Sequence, residues 1–418
     1  MNQKVSILYQ MLSTTHTRFF EGLLSAKSGR VSYETVPADR RPPWLTGFNV
    51  CTVSEAINSA KRCILGVYPL FMDAELDGIQ SLLDNVDRET MLLTNGSQLG
   101  QPGRRPTPGQ KAVAMLLYAV GSTCFALHMP RVNCRRIPGQ RCYIQAAELM
   151  AQDNPNGEDF VRNRIHANIL RSIYHGLLGD ADESWSSNHA AAKQLQRISP
   201  DYLRAFSEHG ATISVEANRL FFAYWICVMI ERCDDPSSSG RTPLLTPVRR
   251  RSELTPKTGE RRVLLKDSNL NVPYPDFELA AKQGLDPAVA QNFQAAVWLH
   301  RQKMTMKTDC PDMNPVEHAK LTEPLFFLPE ADIPRFLPNG RQPSNFMEAR
   351  LRAVYWHTKA HVYKPSIYAV LQQPASTMEE PVKKYAKLGI EAYMESLEAL
   401  ASFSVPIIVP NLLSLLER

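Results

Sequence analysis

The chain has 418 residues, with 47 Lys and Arg against 42 Asp and Glu, 44% hydrophobic residues and 30 prolines. This composition describes a globular chain long enough for two or three domains or one large layered core, and it excludes collagen-like and wholly disordered readings. A net charge of +5 is small for the length and points to neither a nucleic-acid nor a membrane partner, so any such binding has to be local.

The first twenty residues lack the continuous apolar stretch and small-residue cleavage site of a signal peptide, and mature numbering is expected to start near Met1. Residues 1–48 read as an N-terminal segment, 49–233 as a first helical part, 234–274 as a flexible insert and 275–418 as a second helical part. In the first part, Ala56, Ile57, Ala60, Ile64 and Val67 recur at spacings of three and four, which predicts an amphipathic helix capped by Ser54 and closed before Pro69. Residues 95–110 are rich in Gly, Pro and Arg and read as an unstructured link.

Ala112–Met129 runs eighteen residues without a formal charge, at the lower edge of a membrane-spanning length. Gly121, Ser122, Thr123 and His128 dilute it and no second comparable run exists, so it reads as a buried core helix and no membrane partner is expected. Asp180, Asp182 and Glu183 fall in a polar link between two apolar helices. They read as solvated loop charges, or as acids at a helix N-terminus where orphan N–H groups favour negative charge, in preference to a general acid and base. Leu220–Ile230 is almost wholly apolar and predicts a buried helix.

The insert 234–262 is rich in Pro, Ser, Thr and Arg. Its Arg249, Arg250, Arg251, Arg261 and Arg262 could contact phosphates or form a nuclear import signal, with a solvated linker as the plainer alternative. Beyond it, Arg350–Leu371 carries Leu351, Val354, Tyr355, Thr358 and Val362 on one side and is expected to break or kink at Pro365. The last clear helix places Val382, Ala386, Ile390, Tyr393, Leu397 and Leu400 on one stripe, with Pro381 in its first turn and Pro406 as its stop. At the chain end Leu412, Leu413, Leu415 and Leu416 form an apolar stripe that needs a partner face, in the same chain or in a homodimer. Alternating strand patterns are missing throughout, and the fold is read as all-α.

Cysteines stand at 51, 63, 124, 134, 142, 227, 233 and 310 without a Cys-x2-Cys pair, which fits a reduced, intracellular compartment. No nucleotide-binding glycine loop, nucleophile elbow or zincin motif is present, so no catalytic residue is assigned, no cofactor is expected and the chain is not read as an enzyme. His357 and His361 share a helix face and could offer two imidazoles to one ion, but Thr358 stands where a zincin carries Glu. An ordinary hydrogen-bonded pair is the simpler reading, and His166 and His175 are less specific still.

Four blocks in order resemble a known family. In RCILGVYPLFMDAELDGIQSLL (Arg62 to Leu83), Tyr68, Pro69, Leu70, Phe71 and Asp73 resemble the opening block of the fungal-specific transcription factor domain, the middle homology region of zinc-cluster regulators. RSIYHGLLGDADESWSSNHAAAKQLQRI (Arg171 to Ile198) is similar to its next helix pair, through Trp185 and the alanines at 190–192. ANRLFFAYWICVMIERCDD (Ala217 to Asp235) resembles the following helix through Arg219, Phe222, Trp225, Glu231 and Arg232, and NVPYPDFE (Asn271 to Glu278) the segment after it. EARLRAVYWHTKAHVYKPSIYAVL (Glu348 to Leu371) resembles the last, through Leu351, Arg352, Tyr355, Tyr363, Pro365 and Tyr368, with Lys364 where Arg is common.

The resemblance implies a multi-helix array of the regulatory-domain type in which these residues pack or pair rather than catalyse. It implies a nuclear transcription regulator, of a pathway-specific or secondary-metabolite gene cluster, that acts through contacts with the transcription machinery or a DNA-binding partner. The chain departs from the family in lacking the N-terminal Cys-x2-Cys-x6-Cys zinc cluster. DNA is therefore expected to be met only indirectly or through a missing module. The alternatives are a helical ligand-binding or enzymatic protein and a structural interaction protein.

Overall fold

A computed structural model describes residues 51–92, 106–128, 137–155, 159–178, 180–209, 213–233, 274–305, 314–325, 343, 345–372 and 378–400. The N-terminal segment 1–48, the arginines of the insert and the leucines at 412–416 lie outside the described residues. Within them the chain is all-α, and no strand occurs. Twelve α-helices follow one another among the described residues: α1 Val53–Ala60, α2 Asp73–Leu92, α3 Pro108–His128, α4 Gln140–Gln152, α5 Phe160–Leu177, α6 Ala181–His209, α7 Val215–Cys233, α8 Phe277–Lys282, α9 Pro287–Thr305, α10 Pro315–Thr322, α11 Phe346–Gln372 and α12 Glu380–Leu400.

The helix starts carry their own instructions. Thr52, not Ser54, caps α1: its Oγ accepts the Glu55 N–H while the Glu55 carboxylate takes the Thr52 N–H at 2.7 Å. The reciprocal capping box satisfies two orphan donors, which a cap two residues later would leave open. Thr107 and Gln110 repeat the arrangement at α3. Pro108, Pro287 and Pro315 open α3, α9 and α10, where the missing N–H has no intrahelical partner to lose. α1 also stops earlier than its apolar spacing suggests, and Lys61–Leu65 continues it as a π-helical turn that keeps Ile64 buried.

The described residues divide into two compact units. One comprises residues 51–65 and Leu70–Leu279. Its centre is α3, which touches α1, α2, α4 and α5, while α5 and α7 enclose α6. Helix α3 is long and apolar enough to cross a membrane, yet 72% of its most apolar window is covered by protein. Gly121, which at first sight only dilutes the apolar run, is where α1 presses on α3: a Cβ there would collide with the backbone carbonyl of Ala56. Backbone cannot rotate aside as a side chain can. Gly121→Ala is therefore expected to cost about 1–3 kcal/mol despite Ala's higher helix propensity, read as a fall in urea midpoint.

The other unit joins Gly66–Pro69 to the described residues of Ala280–Asn411. Here α11 packs on α9, α10 and α12. Of the break or kink expected at Pro365, the break does not occur: α11 continues through it as one helix. Its neighbours fix it there: Tyr363 and Ile367, on either side of the proline, seat against Gly389 of α12, and tertiary packing offsets the lost hydrogen bond. The apolar stripe of α12 departs in part from the expected one. Its buried face runs through Val382, Ala386, Gly389, Ala392, Ser396, Ala399 and Leu400, so Val382, Ala386 and Leu400 lie where expected, while Tyr393 and Leu397 are half-buried and Ile390 is 53% exposed. Small residues win the inner face because they let the two helices approach closely. Ser396 spends its hydroxyl on the Ala353 carbonyl at 2.8 Å, so it is not stranded.

Candidate functional site

Among the described residues the densest group of interacting charges forms at the ends of α2, α5 and α7. Glu75, in the first turn of α2, accepts the Met72 N–H at 3.0 Å and meets Arg219 of α7 at 3.2 Å. Arg219 also holds Glu216 at 2.9 Å, and Glu216 meets Arg162 of α5 at 2.6 Å. Arg162 returns to Asp159 at 2.7 Å, whose other oxygen accepts from Gln110 at 3.2 Å. Three carboxylates and two arginines thus form an unbroken chain across three helices, and Gln110 ties it to a fourth, α3. Burial raises the Glu75 carboxyl above its usual range; the Met72 N–H and the arginines at 219 and 162 pull it the other way.

One turn along from Arg162 stands His166, buried edge-on against the Phe71 ring at 5.3 Å. Burial pushes it down to about 3, helped by Arg162 and Arg219, so the ring is neutral at physiological pH, and its Nε2 has no hydrogen-bond partner. Phe71 and Asp73 therefore serve different ends. Phe71 packs on this ring, whereas Asp73 is exposed and pairs with Lys61 at 2.8 Å.

Helix α7 carries the remaining contacts of this region. Asn218 and Asp276 exchange two hydrogen bonds, with the Asn218 amide donating to the Asp276 carbonyl at 2.8 Å and the Asp276 N–H to the Asn218 side chain at 2.7 Å. Phe222 meets Phe277 edge to face, and Trp225, 2% exposed, stacks on Tyr274 at 6.2 Å. Sequence reading singled out Arg219, Phe222 and Trp225 but missed Asn218, an uncharged polar residue between Glu216 and Arg219 that gives no local signal of its own. Glu231 and Arg232 end α7, but their side chains lie outside the described residues. Trp185 is only half-buried, stacked on His189 at 4.7 Å, and the acids before it belong to the start of α6, where Asp180 faces the Glu183 N–H at 3.5 Å.

The second unit holds the other singled-out residues. Tyr68 is buried with Pro69, and its hydroxyl receives the Arg350 guanidinium at 3.2 Å. Arg352 reaches Glu395 at 3.6 Å, which ties α11 to α12. Tyr355 is buried, and Tyr363 donates its hydroxyl to Glu323 at 2.9 Å while stacking on Tyr385. Pro365 lies within α11 and Tyr368 is 39% exposed beneath Lys364.

His357 and His361 are both buried and face each other Nε2 to Nε2 at 3.1 Å, so one donates and the other accepts. Among the described residues no group of three His, Cys, Asp or Glu side chains is placed to hold a metal ion. Cys124 is held well above the usual thiol range, first by its hydrogen bond with Cys63 and then by burial, which keeps it from acting as a thiolate.

Charges and aromatics of this kind fix helix register and angle. No protein-family model, no curated protein and no solved structure matches the chain, so a reading of its function rests on its residues and their geometry.

Proposed function

We propose that the chain is the regulatory domain of a zinc-cluster-type fungal transcription regulator, nuclear, without enzymatic activity, and acting through protein contacts with the transcription machinery or a DNA-binding partner. The observation that carries this reading is the ordered set of four blocks. It is supported by where their residues fall: Arg219, Phe222, Trp225, Arg352 and Tyr363 join segments distant in sequence. Residues that hold an array together are what a regulatory scaffold shares across members.

The test is a tethering assay. The full chain, fused to an unrelated DNA-binding domain, is expected to change transcription of a matching reporter several-fold in a fungal nucleus, upward for an activator and downward for a repressor. An unchanged reporter, with the fusion intact and nuclear, would remove the regulatory reading. On promoter DNA the unfused chain is expected to bind weakly and without sequence preference, because arginines in an insert supply only phosphate contacts. Gel shifts should show that binding lost between about 50 and 200 mM salt, and a salt-resistant, sequence-specific complex would contradict an indirect mode of action.

A further inference from the structure

A slot opens between α3, α4 and α5, away from the ion chain. Its volume is about 230 Å³, and its walls are Leu116, alanines of α4 and α5, and Met150. Three polar side chains enter it: Arg164, Asn168 and Arg171. They sit at i, i+4 and i+7 on α5 and so share one face, with the two arginines about 10.5 Å apart along the helix axis. Among the described residues no carboxylate lines the slot, and neither arginine makes an ion pair. Elsewhere in this unit Arg162 and Arg219 each engage two acids.

Both guanidinium groups are nevertheless held in place. Arg164 donates to the Met150 carbonyl at 3.2 Å and lies over the Phe160 ring at 4.9 Å. Arg171 donates through Nε to the Tyr143 hydroxyl at 3.2 Å and lies over the same tyrosine's ring at 5.7 Å. One protein hydrogen bond each leaves most of the five donors of each fork for another acceptor. In addition, the Arg164 Nε is buried without a partner, a costly state that an incoming anion relieves. Two positioned, uncompensated cations across a small apolar floor specify an anion with a charge at each end and a short hydrocarbon middle.

The geometry points to a small aliphatic dicarboxylate as the ligand of this slot, one carboxylate on Arg164, the other on Arg171, and Asn168 between them. Size sets the length. A cavity of ~150 Å³ takes benzene, with six heavy atoms, so 230 Å³ takes about nine, the count of a five-carbon diacid. The assignment stands whether or not the chain regulates transcription.

Isothermal titration of the full chain with glutarate, at low salt and pH 7, is expected to show one-to-one binding, with neutral glutaramide silent and the monoanion valerate at least about 10-fold weaker, as loss of one charge-assisted contact requires. Arg164→Met and Arg171→Met should each lower glutarate affinity at least about 10-fold, and the double variant should abolish it. Ala147→Phe fills the slot from an exposed wall position without touching either charge or the core, so it is expected to fold normally, by circular dichroism, and to bind nothing. Silence of the wild-type chain, equal binding of glutaramide or of inorganic phosphate, or glutarate binding that survives Ala147→Phe would each overturn the proposal.

Discussion

Replacing Arg219 by Leu is expected to destabilise the fold by about 2–4 kcal/mol, below the top of the range for breaking a buried ion pair because the arginine and Glu75 each retain about a fifth of their side-chain exposure. The loss exceeds that of a surface pair because of what remains behind. Glu75 keeps the Met72 N–H and the more distant field of Arg162, but it loses the one cation in contact with it, in a place where burial already raises its carboxyl. Glu75→Gln is the informative contrast. It keeps a hydrogen-bond acceptor for Met72 and removes the buried carboxylate, while Arg219 keeps Glu216, so a cost below about 1 kcal/mol is expected.

The two variants also differ with pH. A carboxyl whose folded-state pKa lies above its unfolded value binds its proton more readily in the folded chain, so its ionisation weakens the fold as pH rises through the carboxylate range. Glu75→Gln should remove that component. Arg219→Leu should enlarge it. Urea midpoints measured from pH 4 to 7 check both, and an Arg219→Leu chain within about 0.5 kcal/mol of wild type, inside ordinary surface-substitution scatter, would show the ion chain to be dispensable.

Helix identity was legible in the sequence wherever an apolar run or a 3.6 period was long. α3 and α7 are the plainest cases: buried nearly all round, they announce themselves as unbroken apolar stretches. Errors arose where tertiary contact decides among local options. Spacing alone allows Ile390 on the inner face of α12, but approach to α11 demands small residues, and Gly389 and Ala392 take the position instead. At Pro365 the local rule predicts a break or kink, and the packing of Tyr363 and Ile367 keeps the helix from breaking. Ser54 looks as good a cap as Thr52; only the Glu three residues after Thr52 separates them, and that capping-box signature was there to be read.

The candidate site was legible in its residue types but not in its pairings. Arg219 stood out in its block, yet nothing local assigns Glu75, 144 positions earlier, as its partner. Asp159 and Arg162 are three apart on α5 and form an ordinary helical pair on paper. Only the fold makes them one end of a chain that crosses to α7 and α2. Likewise the face Arg164, Asn168, Arg171 has a readable period, but a helical stripe of two cations normally meets acids or water. That it meets alanines of α4 depends on how α4 lies against α5, through Tyr143 on Tyr174 and Arg164 on Met150. His166 was set aside as unspecific for the same reason, since burial, which sequence does not give for a lone histidine, is what fixes its chemistry.

That histidine is expected to make the fold acid-sensitive. Its folded-state pKa is pushed down to about 3, and an unfolded chain titrates histidine near ~6.5. Between those values the unfolded state binds more protons, so stability rises with pH and is lost as pH falls from 6.5 towards 3. At about 1.4 kcal/mol per unit, lowering the pH from 7 to 4 costs roughly 3 kcal/mol from this one group. His166→Leu fills similar volume against Phe71, removes the unpartnered Nε2 and cannot take up the proton. Wild type and variant share every other titrating group, so the difference between their pH 7 to pH 4 losses isolates the ring. The wild-type chain should lose about 3 kcal/mol more than His166→Leu, and equal losses would mean that the ring is solvated. Because Arg162 and Arg219 also hold the imidazole down, Arg219→Leu should raise the His166 midpoint measured by NMR, which couples the ion chain to the histidine directly.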